Sequence, residues 1–350
     1  MSSNNTYGFV ELCRQALGMC GLKEGETVAV LSQGELRLDY AQAFLAAAQS
    51  LGAIAYQVTL PDASTSLDGD HGAWTVGATP LAKNRPVVEA LKSADLVIDL
   101  MFLLFSKEQL EIQAAGARIL LCIEPVDVLQ RLFPTTDIRQ RVEAGEELLA
   151  KAKTLRVTNE AGTDVIYQMG SYPVMTQYGF TDTPGRWDHW PSGFVFSGGA
   201  DDGVDGKVVI APGDIILPHK YYVRTPIELT IEHGQIIDIR GELDAALLRD
   251  YMEAFDDERA YGIAHIGWGM DPRARWSGLA TDTRGMGMEA RSFYGNVLFS
   301  TGPNGELGGK NDTSCHVDIP MRNCTLLLDD EPVVINGDIV VPDLKDSARV

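Results

Sequence analysis

Between residues 27 and 123 the chain alternates short, almost wholly apolar runs with stretches of helical spacing, and this constrains its fold more than any other feature. Thr27 to Leu31, Ile54 to Val58, Leu96 to Leu100 and Arg118 to Ile123 read as strands buried on both faces. Residues 39–51, 86–93 and 107–115 carry the apolar spacing of helices between them. Strands that take turns with helices pair side by side in one direction, so this half is expected to be an α/β domain with a helix-covered parallel sheet. A long helix is expected to close it from Asp137 to Lys153, with Thr136 as its N-cap and Ile138, Val142, Leu149 and Ala152 on one face.

After about residue 155 the texture changes to strands and tight turns. Pro226 to Glu232, the turn His233-Gly234, and Gln235 to Arg240 spell a hairpin, and Thr325 to Leu328 with Val333 to Ile335 spell a second. Leu243, Leu247, Tyr251 and Ala254 mark an amphipathic helix between them. The expected architecture is therefore an N-terminal Rossmann-like α/β domain, 1–154, followed by a strand-rich α+β domain, 155–350, and every candidate metal ligand lies in the latter.

Composition excludes some partners. A formal charge of −20 with no basic cluster repels phosphate backbones and anionic lipid, so neither nucleic acid nor a membrane surface is an expected partner. The first twenty residues, with Glu11 and Arg14 inside an amphipathic pattern, read as a helix of the mature protein and not as a signal peptide. Five cysteines without zinc-type spacing suit a reducing cytoplasm and read as small buried hydrophobes. The loop after the first strand, Ser32-Gln33-Gly34-Glu35, has neither a dinucleotide glycine pattern nor a Walker-type lysine.

The chemistry concentrates in Cys315-His316-Val317-Asp318. Residues two apart in an extended strand face the same way, so His316 and Asp318 can close on one ion, and a third ligand such as His265 completes two histidines and a carboxylate. That set holds iron(II) and leaves coordination positions open. Each histidine lies in a short apolar, glycine-flanked run, where a satisfied core imidazole is the competing reading. Of the remaining histidines, His71 and His233 sit in polar turns and read as solvated, while His219 is open. A glycine-rich loop, including Thr301, Gly302, Gly308 and Gly309, feeds the His316 strand and suits close approach of backbone amides to a small ligand, or an ordinary turn. In Gly185-Arg186-Trp187-Asp188-His189-Trp190-Pro191-Ser192-Gly193, two tryptophans around one proton-transfer group make a wall for a flat aromatic substrate or, equally, a packed corner. The acidic turn 201–206 lacks the terminal glutamate of a calcium loop.

At these residues the chain resembles the 2,5-dihydroxypyridine 5,6-dioxygenase family, over nearly its whole length. The resemblance is densest in the 185–193 string, in His265-Ile266-Gly267-Trp268-Gly269, and from Phe299 through Pro303-Asn304 to Ile319-Pro320. It implies a mononuclear iron(II) enzyme with ligands His265, His316 and Asp318, opening a hydroxylated N-heterocycle with O₂ to N-formylmaleamate in nicotinate or nicotine breakdown, and assembling as a homo-oligomer. His189 is then the expected acid/base, Phe105 and Trp190 the ring wall, and Thr301 and Gly302 hydrogen-bonding substrate contacts. The related aminopeptidase T metallopeptidases supply the alternative, a two-metal hydrolase, but the chain has Phe194 and about Leu298 where that family's further ligands fall. One departure concerns the dioxygenase family itself. Where its members carry a substrate-proton histidine after the third strand, this chain reads Met101-Phe102-Leu103-Leu104-Phe105-Ser106-Lys107, which leaves a ring-cleaving dioxygenase for another hydroxylated aromatic as a further reading.

Overall fold

The computed structural model describes residues 3–61 and 76–346, apart from the side chains of 3–7, so His71 lies outside the described residues. Two compact units emerge. The first comprises residues up to 61, 77–134 and 178–192, and the second 76, 135–177 and 193–346.

In the first unit the four expected strands form at Thr27–Gln33, Ile54–Leu60, Leu96–Asp99 and Arg118–Cys122, with helices Leu38–Ser50, Arg85–Lys92 and Lys107–Ala114 between them. All pairings are parallel, in the order 54–60, 27–33, 96–99, 118–122. The inner strands are buried along their length, which explains their continuous apolar sequence. A fifth strand, Trp187–Trp190, joins the edge parallel to Arg118–Cys122 and sets Leu121 opposite His189. The N-terminal helix Ser3–Met19 buries Phe9, Cys13, Ala16 and Leu17, the amphipathic face expected of it.

The division between units departs from residue 154 in both directions. The helix expected at 137–153 spans Thr136–Leu149 and packs on the strands Phe194–Ser197 and Met175–Gln177 of the second unit, burying Ile138, Val142 and Leu149. Its cap is Thr135, whose hydroxyl accepts the N–H of Ile138 at 3.3 Å, so the start lies one residue before the expected Thr136. Conversely, the strand Trp187–Trp190 returns to the first unit because its backbone completes the parallel sheet.

The second unit holds an eight-stranded antiparallel sheet and a five-stranded one. Both expected hairpins are present, Ile227–Glu232 with Gln235–Gly241 and Thr325–Leu328 with Glu331–Ile335. Their two-residue turns, His233-Gly234 and Asp329-Asp330, have positive φ throughout, the backbone twist that matches paired strands. The five-stranded sheet runs in the order 317–321, 297–301, 263–269, 194–197, 175–177, all antiparallel, and it carries the candidate ligands.

Candidate metal centre

His265 lies on the strand Ile263–Gly269, whose register against Val297–Thr301 slips between Ile263 and Ile266. Three steps on the His265 strand match two on its partner, a bulge of the kind that re-aims a side chain. Asp318 sits opposite Ser300 on the neighbouring strand, and His316 immediately precedes that strand. Donor atoms of His265, His316 and Asp318 all fall within 4.8 Å of one another. The spacing read from the sequence and the distant third histidine thus converge on one point.

The three side chains are almost wholly enclosed, at 1%, 7% and 5% exposure. His316 Nδ1 lies 3.0 Å from the Thr301 carbonyl oxygen. A carbonyl only accepts, so Nδ1 is the donor in this contact and Nε2 is the ring nitrogen that faces the carboxylate. That Nε2 is 3.3 Å from Asp318 Oδ1, and His265 Nε2 is 3.4 Å from the same oxygen. The other carboxylate oxygen, Oδ2, is 3.5 Å from Arg291 Nε. The His265 ring is fixed by Phe196, 4.9 Å away between ring centres.

These groups are poorly satisfied by one another. Both ring nitrogens of His265, Asp318 Oδ1, Glu306 Oε1 and Arg291 Nε are buried without a hydrogen-bond partner among the described residues. Native interiors rarely leave so many polar atoms unmet at one place, and a cation among them would engage the imidazole and carboxylate lone pairs. Burial, only partly opposed by Asp318, holds His265 down to about 3, so its imidazole is neutral and free to donate a lone pair. Burial would raise Asp318, but His316, Arg291 and His265 outweigh it and keep the carboxyl well below the usual range, hence anionic. Burial pushes Glu306 up to about 7, against the pull of Arg291 and His316.

Two imidazoles and one carboxylate are a donor set that fits iron(II). Around them Phe194, Phe196, Leu298 and Leu307 form an apolar cluster with Tyr172 and Met175 packed against it. Phe194 and Leu298, where two-metal relatives were expected to carry ligands, are fully buried apolar side chains that offer a second cation nothing.

Thr301 and Gly302 take places close to the ligands. The Thr301 carbonyl fixes His316, and Gly302, at φ 105°, packs so tightly that a Cβ there would fall inside the Cys315 carbonyl and against His316 Cα. The remaining expected site residues belong to the first unit. His189 is fully buried, with its ring centre 5.6 Å from that of Trp187. Trp190 donates its indole N–H to the carbonyls of Leu129 and Leu132, both at 3.1 Å, and keeps only 1% of its surface exposed. Phe105 is partly exposed and has a left-handed backbone, φ 67°, in the turn after Leu96–Asp99, as does Phe102 at 74°. His219, left open by the sequence, stacks on Tyr221 and meets Tyr251 edge-on, and His233 is solvated as expected.

Sequence reading missed Arg291 and Glu306. The one available signal for Glu306 was an isolated carboxylate inside the glycine-rich loop that feeds His316. Arg291, in the short helix Met288–Ser292, gave none.

The chain is similar to known proteins over nearly its whole length. The 2,5-dihydroxypyridine 5,6-dioxygenase family matches the chain over residues 8–341. A 2,5-dihydroxypyridine 5,6-dioxygenase from Pseudomonas putida is 48% identical over 337 residues, covering 95% of this chain and 96% of the relative. The solved structure of 2,5-dihydroxypyridine dioxygenase from Pseudomonas putida superposes with a TM-score of 0.92 at 46% identity, covering 97% of this chain and 99% of that one. AmpT from Thermus thermophilus shares the fold, with a TM-score of 0.64 at 14% identity over 95% of this chain and 99% of its own.

Proposed function

The chain belongs to the 2,5-dihydroxypyridine 5,6-dioxygenase family, and from that premise we propose that it is an iron(II)-dependent enzyme that opens the ring of 2,5-dihydroxypyridine with O₂. The observation that carries the metal assignment is the buried trio His265, His316 and Asp318, with donor atoms within 4.8 Å of one another and with both His265 ring nitrogens and Asp318 Oδ1 left without a hydrogen bond. When bound, iron(II) would supply open coordination positions at which a ring hydroxyl and dioxygen meet, overcoming the sluggishness of triplet oxygen toward closed-shell rings.

The chain's own residues prepare that centre. The Thr301 carbonyl accepts from His316 Nδ1 and so turns Nε2 toward Asp318. Arg291 lies against the outer oxygen of Asp318 and leaves Oδ1 to the imidazoles. Phe196 and its apolar neighbours keep water from His265 and confine the site to one cation. His189 is the imidazole we assign to substrate protons, and Phe105 the ring we assign to stacking on the substrate. The same proposal includes a cytoplasmic homo-oligomer. Among the described residues no helix is long and apolar enough to cross a membrane, and the five cysteines are free and buried.

Anaerobic loading with iron(II), followed by oxygen-electrode assays with dihydroxypyridines, tests the reading. Oxygen uptake equal to substrate consumed is expected. No uptake with any hydroxylated ring, together with peptide cleavage in cobalt or zinc, would replace it with a hydrolase.

A further inference from the structure

Glu306 has no part in the metal set, yet the fold goes to some length to place it there. It lies in the short turn Gly305–Leu307, and the loop around that turn is tied by side-chain amides. Asn311 donates to the carbonyls of Gly302 at 2.7 Å and Arg259 at 2.9 Å, and the Asn304 side chain accepts the Asn311 N–H at 2.9 Å. Gly309 passes against Asn304 so closely that any Cβ would collide with its amide. Leu307, the next residue after Glu306, is anchored in the apolar cluster beside His265.

The result is a mostly enclosed carboxyl whose Oε1 lies 3.9 Å from His265 Nε2 and has no hydrogen-bond partner. It is not among the three residues whose donor atoms gather within 4.8 Å. A buried, unmet acceptor beside a metal set, but outside it, is where a polar edge of a bound substrate would be read.

We infer that Glu306 is a specificity-determining residue that accepts a hydrogen bond from the ring N–H of the substrate's pyridone tautomer. The inference rests on the dihydroxypyridine reading above. A 2-hydroxypyridine exchanges with its 2-pyridone form, in which the ring nitrogen carries a proton, whereas a benzene-1,4-diol of the same outline presents only C–H at that position. A carboxylate rewards the first and is left buried and unpaired by the second. Sites built to pair a substrate N–H discriminate far more strongly than apolar pockets do. Glu306 thereby selects hydroxylated N-heterocycles over hydroxylated carbocycles.

The test uses the full-length protein loaded anaerobically with iron(II), titrated calorimetrically without oxygen with 2,5-dihydroxypyridine and with hydroquinone. Wild type should prefer the pyridine by about tenfold or more. Glu306→Ala should bring the two ligands to within about threefold, chiefly by weakening the pyridine, with iron content unchanged. Glu306→Gln, whose amide oxygen still accepts, should recover part of the preference and guards against a folding defect in the alanine variant. Unaltered preference in both variants would overturn the inference, as would loss of iron, which would make Glu306 a ligand, or a fall in kcat without a change in Kd. A wild-type holoprotein that neither binds nor turns over any dihydroxypyridine would instead overturn the reading on which it rests.

Discussion

Asp99 in the first unit and Asp318 in the second are both buried carboxylates at strand positions, and they are treated in opposite ways. Asp99 accepts the backbone N–H groups of Met101 and Phe102, each at 2.9 Å, and of Leu103 at 2.7 Å, so that one side chain shapes the whole turn after its strand. Asp318 receives no backbone N–H among the described hydrogen bonds, and its Oδ1 faces two imidazoles without a proper bond to either. A satisfied buried carboxylate belongs to the fold. One left unsatisfied, among lone pairs pointing the same way, belongs to a ligand.

Removing each carboxylate in turn should therefore have opposite consequences. Asp318→Ala should lower iron(II) affinity by more than about a hundredfold, since losing a ligand exceeds the effect of losing its supports, while far-UV circular dichroism stays native. Asp99→Ala should do the reverse. It strands three buried N–H donors, which costs at least about 3 kcal/mol of stability in urea unfolding, yet each folded molecule should still bind its metal. If Asp318→Ala retained iron, or Asp99→Ala lost it without unfolding, the contrast would fail.

Gly302→Ala probes the join between fold and site. The new Cβ must push the Cys315–His316 backbone away, so about 1–3 kcal/mol of stability and roughly tenfold in iron affinity should be lost together, measured on the same sample by unfolding and metal competition. A change in stability alone would mean that His316 does not depend on that close packing.

The Asp99 carboxyl also makes stability depend on pH. Burial, opposed by the three backbone N–H bonds, raises Asp99 to about 6 in the folded protein, above its unfolded value. Its contribution is then fully present below about pH 4 and is lost as pH rises through about 6, by up to roughly 3 kcal/mol. Compared with Asp99→Asn, which does not titrate, wild-type stability should decline across that window in urea midpoints. A parallel pH dependence of the two proteins would contradict the assignment.

What the sequence made legible follows the same line between local and distant. The alternation over 27–123 reports burial of each strand and helix by its own residues, and four strands and three helices stand close to where it puts them. The fifth strand, Trp187–Trp190, was unreadable because its pairing spans an excursion of the chain through the second unit. Thr135 displaced Thr136 as cap because two adjacent threonines offer the same hydroxyl and only the tertiary packing of the helix selects between them. His316 and Asp318 were visible as a spacing of two in extended chain. His265 joins them through a bulge at Ala264-His265, where no glycine announces a register slip. Glu306 carries no periodic or spacing signal, and the loop that holds it is tied by the Asn304 and Asn311 side chains, which lie outside any pattern readable from the sequence.

The claim at the centre is that one cation, and only one, belongs among His265, His316 and Asp318. Anaerobic calorimetric titration of metal-free wild-type protein with iron(II) tests it most directly. One ion should bind per chain, and Asp318→Ala should abolish that binding; two ions per chain, or none, would refute a single-cation centre.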